Sequence, residues 1–452
     1  MAVNINTSDT SVNRYTEQQP DICVVGLGFV GLTLAATFAA SDKNVIGYEQ
    51  NAHVCDMLNQ GQVHFFEAGL PEIVQKKLNQ GLTISNVLPD VLPSTVIVCV
   101  GTPMNDSTGQ PDLRQLESAV TAIAERITPE TLVIVRSTVA VGTSRKLVLP
   151  RLRQKVAEPL LAFCPERTIQ GKALAELRSL PQIISGVNEA SVVRARELFT
   201  KIVGQTITVS SLETAEMIKL ICNTHTDLIY GFGNEVAMMA HALGLDAHEL
   251  ITTANLDYPR PDLCKPGFVG GSCLTKDPYL LMYSTQQHQY TPPMVAASRK
   301  VNEAIPQMMV EQVITSLQAS GKDIAQAKIF ISGFAYKGYP ETSDMRGSAV
   351  TPVVSMLRSY GATLFGHDYI VPLEQIQALG VQPVSIAEGF ADADAVFILN
   401  DHHRYQEENI QALVARMRRQ PVLFDSWGIF AARLNHRQEE INYMRLSWKN
   451  AR

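Results

Sequence analysis

The sequence predicts an α/β protein built as two Rossmann-like doubly wound domains joined by a long central helix. Three observations carry this. Short apolar runs alternate with helical patterns over residues 21–211. Residues 212–243, LETAEMIKLICNTHTDLIYGFGNEVAMMAHAL, form one unbroken helical pattern. From residue 328 the strand and helix rhythm restarts. Strands separated by helical stretches mean parallel sheets with crossover helices.

The elements follow in order. Residues 1–20 are polar and aperiodic and read as a disordered extension. The first domain, 21–211, holds the strand candidates DICVVG, NVIGYE, LTISN, TVIVCV, TLVIVRST, PLLAFC, PQIISG and QTITVS. The segment 212–318 is helical. Its first helix has apolar residues on several faces, the mark of a helix buried between domains or subunits, and it is expected at the centre of a homodimer. The Pro/Gly-rich loop YPRPDLCKPGFVGGSC interrupts the rest. The second domain, 319–452, takes KIFISG, ATLFGHD, AVFILN and PVLFDS as strands.

Composition excludes several classes. A net charge of -6 leaves no basic footprint for nucleic acid and no polybasic membrane patch. No apolar run approaches the ~20 residues that span a bilayer, and the N-terminus lacks a signal-peptide pattern. An anionic substrate must therefore be held by local groups. The seven cysteines, an odd count, suit neither a disulfide framework nor a zinc site. Free thiols and a cytoplasmic location follow, with most cysteines acting as buried small hydrophobes.

Gly26, Gly28 and Gly31 stand in G-x-G-x-x-G after a strand and at the opening of a helix, with Phe29 and Val30 inside the pattern. Gly26 permits the tight turn, Gly28 lets a pyrophosphate approach the backbone, and Gly31 lets helix and strand pack closely. Glu49 ends the second strand, where a ribose-binding acid belongs. Its carboxylate accepts from both ribose hydroxyls and repels a 2′-phosphate, and no arginine follows in EQNAH. The cofactor expected is NAD, not NADP. The bland alternative is a glycine turn with a surface glutamate. Strand, fingerprint, helix and acid in register count against it.

Beyond the fingerprint, a series of segments runs in a characteristic order: FEAGLPE, VGTPMN, VRSTVAVGT, CPERTIQG, ETAEMIKLICNTHTDLIYGFGNEV, GFVGGSCLTKDP, VNEAIP and GFAYKGYPETSDMRGS. With them, residues 21–430 resemble the UDP-glucose/GDP-mannose dehydrogenase superfamily. The resemblance implies an NAD domain, a dimer helix and a C-terminal domain for a UDP-sugar. The activity it implies is a four-electron oxidation of a primary alcohol to a carboxylate with two hydride transfers. Surface polysaccharide biosynthesis is implied by family association alone.

The implied site residues are these. Cys273, in GGSC, is the nucleophile that forms a thiohemiacetal and then a thioester. Glycines before it, Gly270 among them, let substrate approach. Lys219 and Asn223 stand four apart and share one helix face, where an ammonium and an amide can hold an oxyanion. Asp277 and Thr138 match a pair that orients or deprotonates water, and Asp277 can instead help hold Lys219. Glu166, in CPER, matches a glutamate of thioester hydrolysis and substrate contact, and Arg167 follows it. Thr102 and Thr138 lie with the cofactor. Arg260 resembles an arginine that reaches across the dimer to the substrate, and Lys337 a lysine near the nucleotide. For each charged residue a plain surface or capping role is the alternative. GFAYKG is not a G-x-G-x-x-G, so the second domain is read as a UDP-sugar site and not a second NAD site. No metal is expected.

FDSWGIF departs from the family. Trp427 stands where an arginine lies near the diphosphate, so either another donor takes that place or the sugar nucleotide sits differently. GGSC resembles the UDP-glucose enzymes, whereas Arg167, VNEAIP, Asp277-Pro278 and DSWGIF resemble the UDP-N-acetylhexosamine branch, which the balance favours. Two other functions compete. A two-electron β-hydroxyacid dehydrogenase needs neither Cys273 nor a third domain. A non-catalytic NAD or nucleotide-sugar sensor needs none of Cys273, Lys219, Asn223 and Asp277.

Overall fold

The computed structural model describes residues 20–105, 107–434 and 441–446. Residues 1–19, most of the expected disordered extension, lie outside the described residues. The first sheet has the order β10-β9-β8-β7-β4-β1-β2-β3. Its strands are β1 Ile22–Val25, β2 Val45–Tyr48, β3 Leu82–Ser85, β4 Thr95–Val98, β7 Leu132–Val135, β8 Leu160–Phe163, β9 Gln182–Gly186 and β10 Thr206–Thr208. A small antiparallel hairpin, β5 Met104–Asn105 with β6 Gln110–Pro111, stands apart. Central strands such as ICVV, TVIV and LVIV are buried throughout because helices cover both faces. Edge strands β3 and β10 mix in polar, less buried positions.

One expectation fails here. The sheet is not wholly parallel, because β9 pairs antiparallel with β8. Apolar runs do not encode strand direction. The consequence bears on function: an antiparallel return keeps the connection 164–181 at the carboxyl end of β8, where a crossover would have taken it across a face. That connection carries Glu166, Arg167 and Gln170.

The central helix runs Leu212–Leu243, as the helical pattern predicts. Ser211 caps its start by accepting the Thr214 N–H. Gly244 ends it at φ 71, the left-handed conformation that glycine adopts without strain. A second long helix, Pro293–Ala319, packs along it. Between them lie Ala247–Asn255, the loop 257–270, the short helix Gly271–Leu274 and the helix Asp277–Gln286.

The second sheet is parallel throughout, with the order β13-β12-β11-β14-β15-β16. Its strands are β11 Lys328–Ser332, β12 Thr363–His367, β13 Gln382–Pro383, β14 Ala395–Ile398, β15 Val422–Asp425 and β16 Asn442–Met444. The order reverses between β11 and β14, so the loops after them frame a switch-point crevice. Two hydrophobic cores flank each sheet.

Candidate active site

The glycine turn fits a dinucleotide. Gly26 has φ +90, open only to glycine without strain. A Cβ on Gly31 would lie 1.8 Å from the Gly26 carbonyl oxygen, so the helix Phe29–Ala40 can approach the turn only with glycine there. Gly28 is the reverse: it is exposed, and a Cβ would meet nothing within 4 Å. The open space lies at the N-terminus of a twelve-residue helix, where backbone N–H groups favour an anion. Phe29 and Val30 are half-buried on its first turn. Glu49 accepts from the Leu27 N–H and the Asn51 N–H, both at 3.0 Å, which fixes its carboxylate over the turn. Thr102 is buried, and its hydroxyl donates to the Thr138 carbonyl.

Cys273 sits on the short helix Gly271–Leu274, which packs on the central helix. It is exposed. The glycines before it are sterically demanded. A Cβ on Gly270 would lie 2.4 Å from the Gly347 carbonyl oxygen, and one on Gly271 would lie 2.8 Å from the Tyr336 ring. The Gly271 N–H donates to Gly347 O at 3.2 Å, so the second domain holds the nucleophile loop directly. Arg346, beside Gly347, is locked by Asp344 through bonds of 2.9 and 2.7 Å. Burial, then the nearby Cys273 and Asp344, push the Tyr336 phenol up. By contrast, burial pushes the Cys23, Cys99 and Cys164 thiols up to about 12. Such thiols are inert hydrophobes at neutral pH. The expectation of burial fails for Cys222, which is exposed on the central helix, and is met only in part for Cys99 and for Cys264, which are half-buried.

Lys219 is buried at 6% exposure. Among the described residues its ammonium makes no hydrogen bond or ion pair. Its stem is packed away, and the ammonium, which has no partner among the described residues, is left free to meet a ligand. One turn on, Asn223 donates to Asp277 Oδ2 at 2.6 Å. Asp277 is buried, and its Oδ1 lies 3.0 Å from Lys276 Nζ. The aspartate thus holds Asn223 and Lys276 and makes no bond to Lys219. Also on the central helix, Glu216 accepts the Ser144 N–H at 2.8 Å. Burial pushes its pKa up to about 7. Ala140, two residues past Thr138, packs with Leu220 and Leu280, so the Thr138 loop lies against the helices of Lys219 and Asp277.

Glu166 is buried and saturated. Arg136 Nη2 donates to its Oε2, and the Arg167 and Thr168 N–H groups donate to Oε1 at 2.7 and 2.8 Å. Burial alone would raise its pKa; Arg136, the Thr168 N–H and Lys219 outweigh it and hold the carboxyl below the usual range. Arg136, which also bonds Cys164 O and Gln182 Oε1, was missed from the sequence. Its signal was a charged residue ending the apolar run LVIV. The Arg167 guanidinium donates to Pro181 O.

Lys337 crosses between domains and donates to Gln170 O at 2.7 Å. Burial lowers its pKa to about 8 against the opposing pull of Glu67 and Glu176. Gln170 also donates to Asp344 Oδ2 at 3.0 Å. Arg260 does not join this cluster within one chain: it is exposed and donates to Tyr258 OH at 2.8 Å. Trp427 donates to Leu399 O at 3.0 Å, and its ring lies against Gly267, at the start of the nucleophile loop. Glu341, His402 and His403 share the composition of a metal site. His402 Nδ1 accepts the Arg404 N–H at 3.3 Å, and its Nε2 lies 2.9 Å from Glu341 Oε1 without a hydrogen bond. No described helix is long and apolar enough to cross a membrane.

Three family models match in order: the NAD binding domain of the UDP-glucose/GDP-mannose dehydrogenase family over 20–203, its central domain over 213–304 and its UDP binding domain over 330–432. The chain is 32% identical over 410 residues to the UDP-N-acetyl-D-mannosamine dehydrogenase of Pyrococcus horikoshii, covering 89% of this chain and 94% of that one. It is 30% identical to the enzyme of that name from Campylobacter jejuni, covering 87% and 98%. A solved structure of the Pyrococcus horikoshii enzyme superposes with a TM-score of 0.85 at 29% identity, covering 94% of this chain and 99% of that one. The UDP-N-acetyl-mannosamine dehydrogenase of Staphylococcus aureus gives 0.81 at 27%, covering 94% and 98%. The chain belongs to the UDP-glucose/GDP-mannose dehydrogenase family and is an NAD-dependent nucleotide-sugar dehydrogenase.

Proposed function

We propose that the protein oxidises the C6 primary alcohol of a UDP-N-acetylhexosamine to the carboxylate in two steps, with Cys273 as covalent nucleophile. The observation that carries this is the packing of the Cys273 helix on the central helix that carries an unpartnered Lys219 and the Asn223–Asp277 pair. The names of the relatives support the N-acetylhexosamine branch.

NAD, when bound at the glycine turn, accepts the hydride of each oxidation. Lys219 and Asn223 stabilise the oxyanion that develops at C6. The Cys273 thiol adds to the aldehyde carbon, and the aldehyde oxygen takes up a proton, giving a thiohemiacetal. Loss of a hydride and a proton gives a thioester. Water then adds, the C–S bond breaks, the thiol is restored and the carboxylate leaves. Asp277 and Thr138 position that water. Glu166, ionised and saturated by Arg136 and two N–H groups, acts on the substrate through its charge beside Lys219. Lys337 and Arg167 serve the sugar nucleotide.

The protein works as a homodimer through the central helix. Met217, Ile221, Phe232, Met239 and Leu243 are exposed along it at helical spacing, a stripe that a partner would cover. Arg260 then reaches the partner's site.

The test is NADH released per UDP-sugar consumed, with UDP-N-acetylmannosamine, UDP-N-acetylglucosamine, UDP-glucose and GDP-mannose compared. Two equivalents with an N-acetylhexosamine are expected. One equivalent means a two-electron dehydrogenase, and none means a sensor. Full uronic acid production by Cys273→Ser would remove the covalent route. Lys219→Ala should lose on the order of a hundredfold in kcat while still binding substrate.

A further inference from the structure

The loop that presents Cys273 is tied at both ends to one buried carboxylate. At its start, the Gly267 N–H donates to Asn234 Oδ1 at 2.8 Å. Asn234 Nδ2 donates to Asn302 Oδ1 at 2.9 Å, and Asn302 Nδ2 donates to Asp227 Oδ1 at 2.9 Å and to Asp227 O at 3.1 Å. At its end, Arg299 Nη1 donates to Leu274 O at 3.4 Å and to Asp227 Oδ1 at 2.6 Å. Asp227, Asn234 and Asn302 have no exposed surface, and Arg299 has 3%. Asp227 and Asn234 are on the central helix; Arg299 and Asn302 are on Pro293–Ala319.

This network is costly to bury and is not needed to pack two helices. Every donor and acceptor in the asparagine chain runs one way, from Gly267 to Asp227. An amide can be satisfied at both ends only in that orientation, so the chain fixes the place of Gly267 as well as its contact. From the other side the Trp427 ring closes on Gly267, and Gly347 O holds Gly271 N–H. The loop 267–274 is thus pinned near its start, middle and end. Cys273 makes none of these bonds itself and is left exposed among them.

We propose that Asn302 and Asp227 are positioning residues that set where the Cys273 thiol stands, acting through Asn234 and Arg299. The inference rests on the reading of Cys273 as nucleophile. It has a consequence that stability alone lacks. The first oxidation, alcohol to aldehyde, needs no thiol; the second does. Displacing the thiol by about 1 Å can slow a reaction by up to a hundredfold, so a fault in this network should fall on the second step.

The experiment is a single-turnover measurement on the full-length enzyme with NAD and UDP-N-acetylmannosamine, following the first and second NADH phases separately. Asn302→Leu keeps the branched side-chain shape and removes the relay; Asn302→Ser is the milder variant should the first fail to fold. The control is Ile305→Val on the same helix, buried and outside the network. The expected result is a second phase slowed about tenfold or more with the first phase within twofold. Alkylation of Cys273 by iodoacetamide should also change rate in the Asn302 variants and not in Ile305→Val. Equal slowing of both phases, or no change in either, overturns the proposal. Full product from Cys273→Ser would instead overturn the reading of the nucleophile, so the two failures are distinct.

Discussion

The two Rossmann units open with the same turn and use it in opposite ways. Gly26 after β1 and Gly333 after β11 both sit at φ +90. In the first unit a helix starts at Phe29, Gly28 faces open space, and Glu49 after β2 takes one N–H of the turn, that of Leu27. In the second unit Asp368, after β12, fills the equivalent place. Its carboxylate accepts the N–H groups of Phe334, Ala335, Ile370 and Val371 at 2.7 to 3.1 Å. No helix follows until Val350, and the chain reaches across to the first unit instead, bringing Lys337 to Gln170 and Gly347 to Gly271. An open turn with unmet donors receives an anion; a turn closed by its own aspartate is scaffold. One architecture therefore yields a cofactor site and a substrate-side arm.

The largest effect expected from this comparison is at Gly31. A methyl group 1.8 Å from a backbone carbonyl cannot be absorbed by a rotamer change. Gly31→Ala should abolish the native first unit, read as loss of soluble protein or of its cooperative melt. Gly28→Ala, with nothing within 4 Å, should keep the melting temperature and raise the KM for NAD about tenfold. A variant of Gly28 that binds NAD normally would break the assignment of the open turn.

Next come the two acids. Asp368→Ala leaves two N–H groups of the Gly333 turn and two of its own loop without their acceptor, at a cost of about 3 kcal/mol or more. Its melting temperature should drop by several degrees, while the KM for NAD stays within twofold. Glu49→Ser should do the reverse: little change in melting, a weaker preference for NAD over NADP, and the NAD KM up about tenfold. If both variants lose stability alike, the two turns are both scaffold.

Much of this was legible in the sequence. The eight strand candidates of the first unit and the limits of the central helix match because apolar periodicity and caps at Ser211 and Gly244 are local signals. The nucleophile loop and Lys219 were legible by resemblance and by the oddity of a lysine in an apolar helix. Strand direction at β9 was not, since sidedness says nothing about sense. Nor were Arg136, Asp368 or the Asn234–Asn302 relay. Their long-range partners lie 28 to 75 residues away in sequence, so only the fold brings them together. The edge strands β13 and β16 are two and three residues long, too short for any alternation to register.

The smallest effect is a matter of pH. Lys337 belongs to the closed second turn but points at the first unit, and burial sets its pKa at about 8 against an ordinary 10.5. Between those values the folded protein has shed a proton that the unfolded chain keeps. The unfolded state then binds more protons, so stability rises with pH across this window, is complete above 10.5, and is lost as pH falls through 8. Ligand binding runs the other way, because the diphosphate of a UDP-sugar needs the ammonium. The affinity for UDP, measured by calorimetry in the presence of NAD, should hold below pH 8 and weaken by up to about tenfold by pH 9. Measuring UDP binding and not turnover keeps the chemical steps out of the result. Lys337→Arg carries a guanidinium that stays charged across the range, so its affinity should be flat from pH 7 to 9.5. An identical decline in both proteins would move the anion contact away from Lys337, and with it the reading of the second turn as the arm that holds the sugar nucleotide.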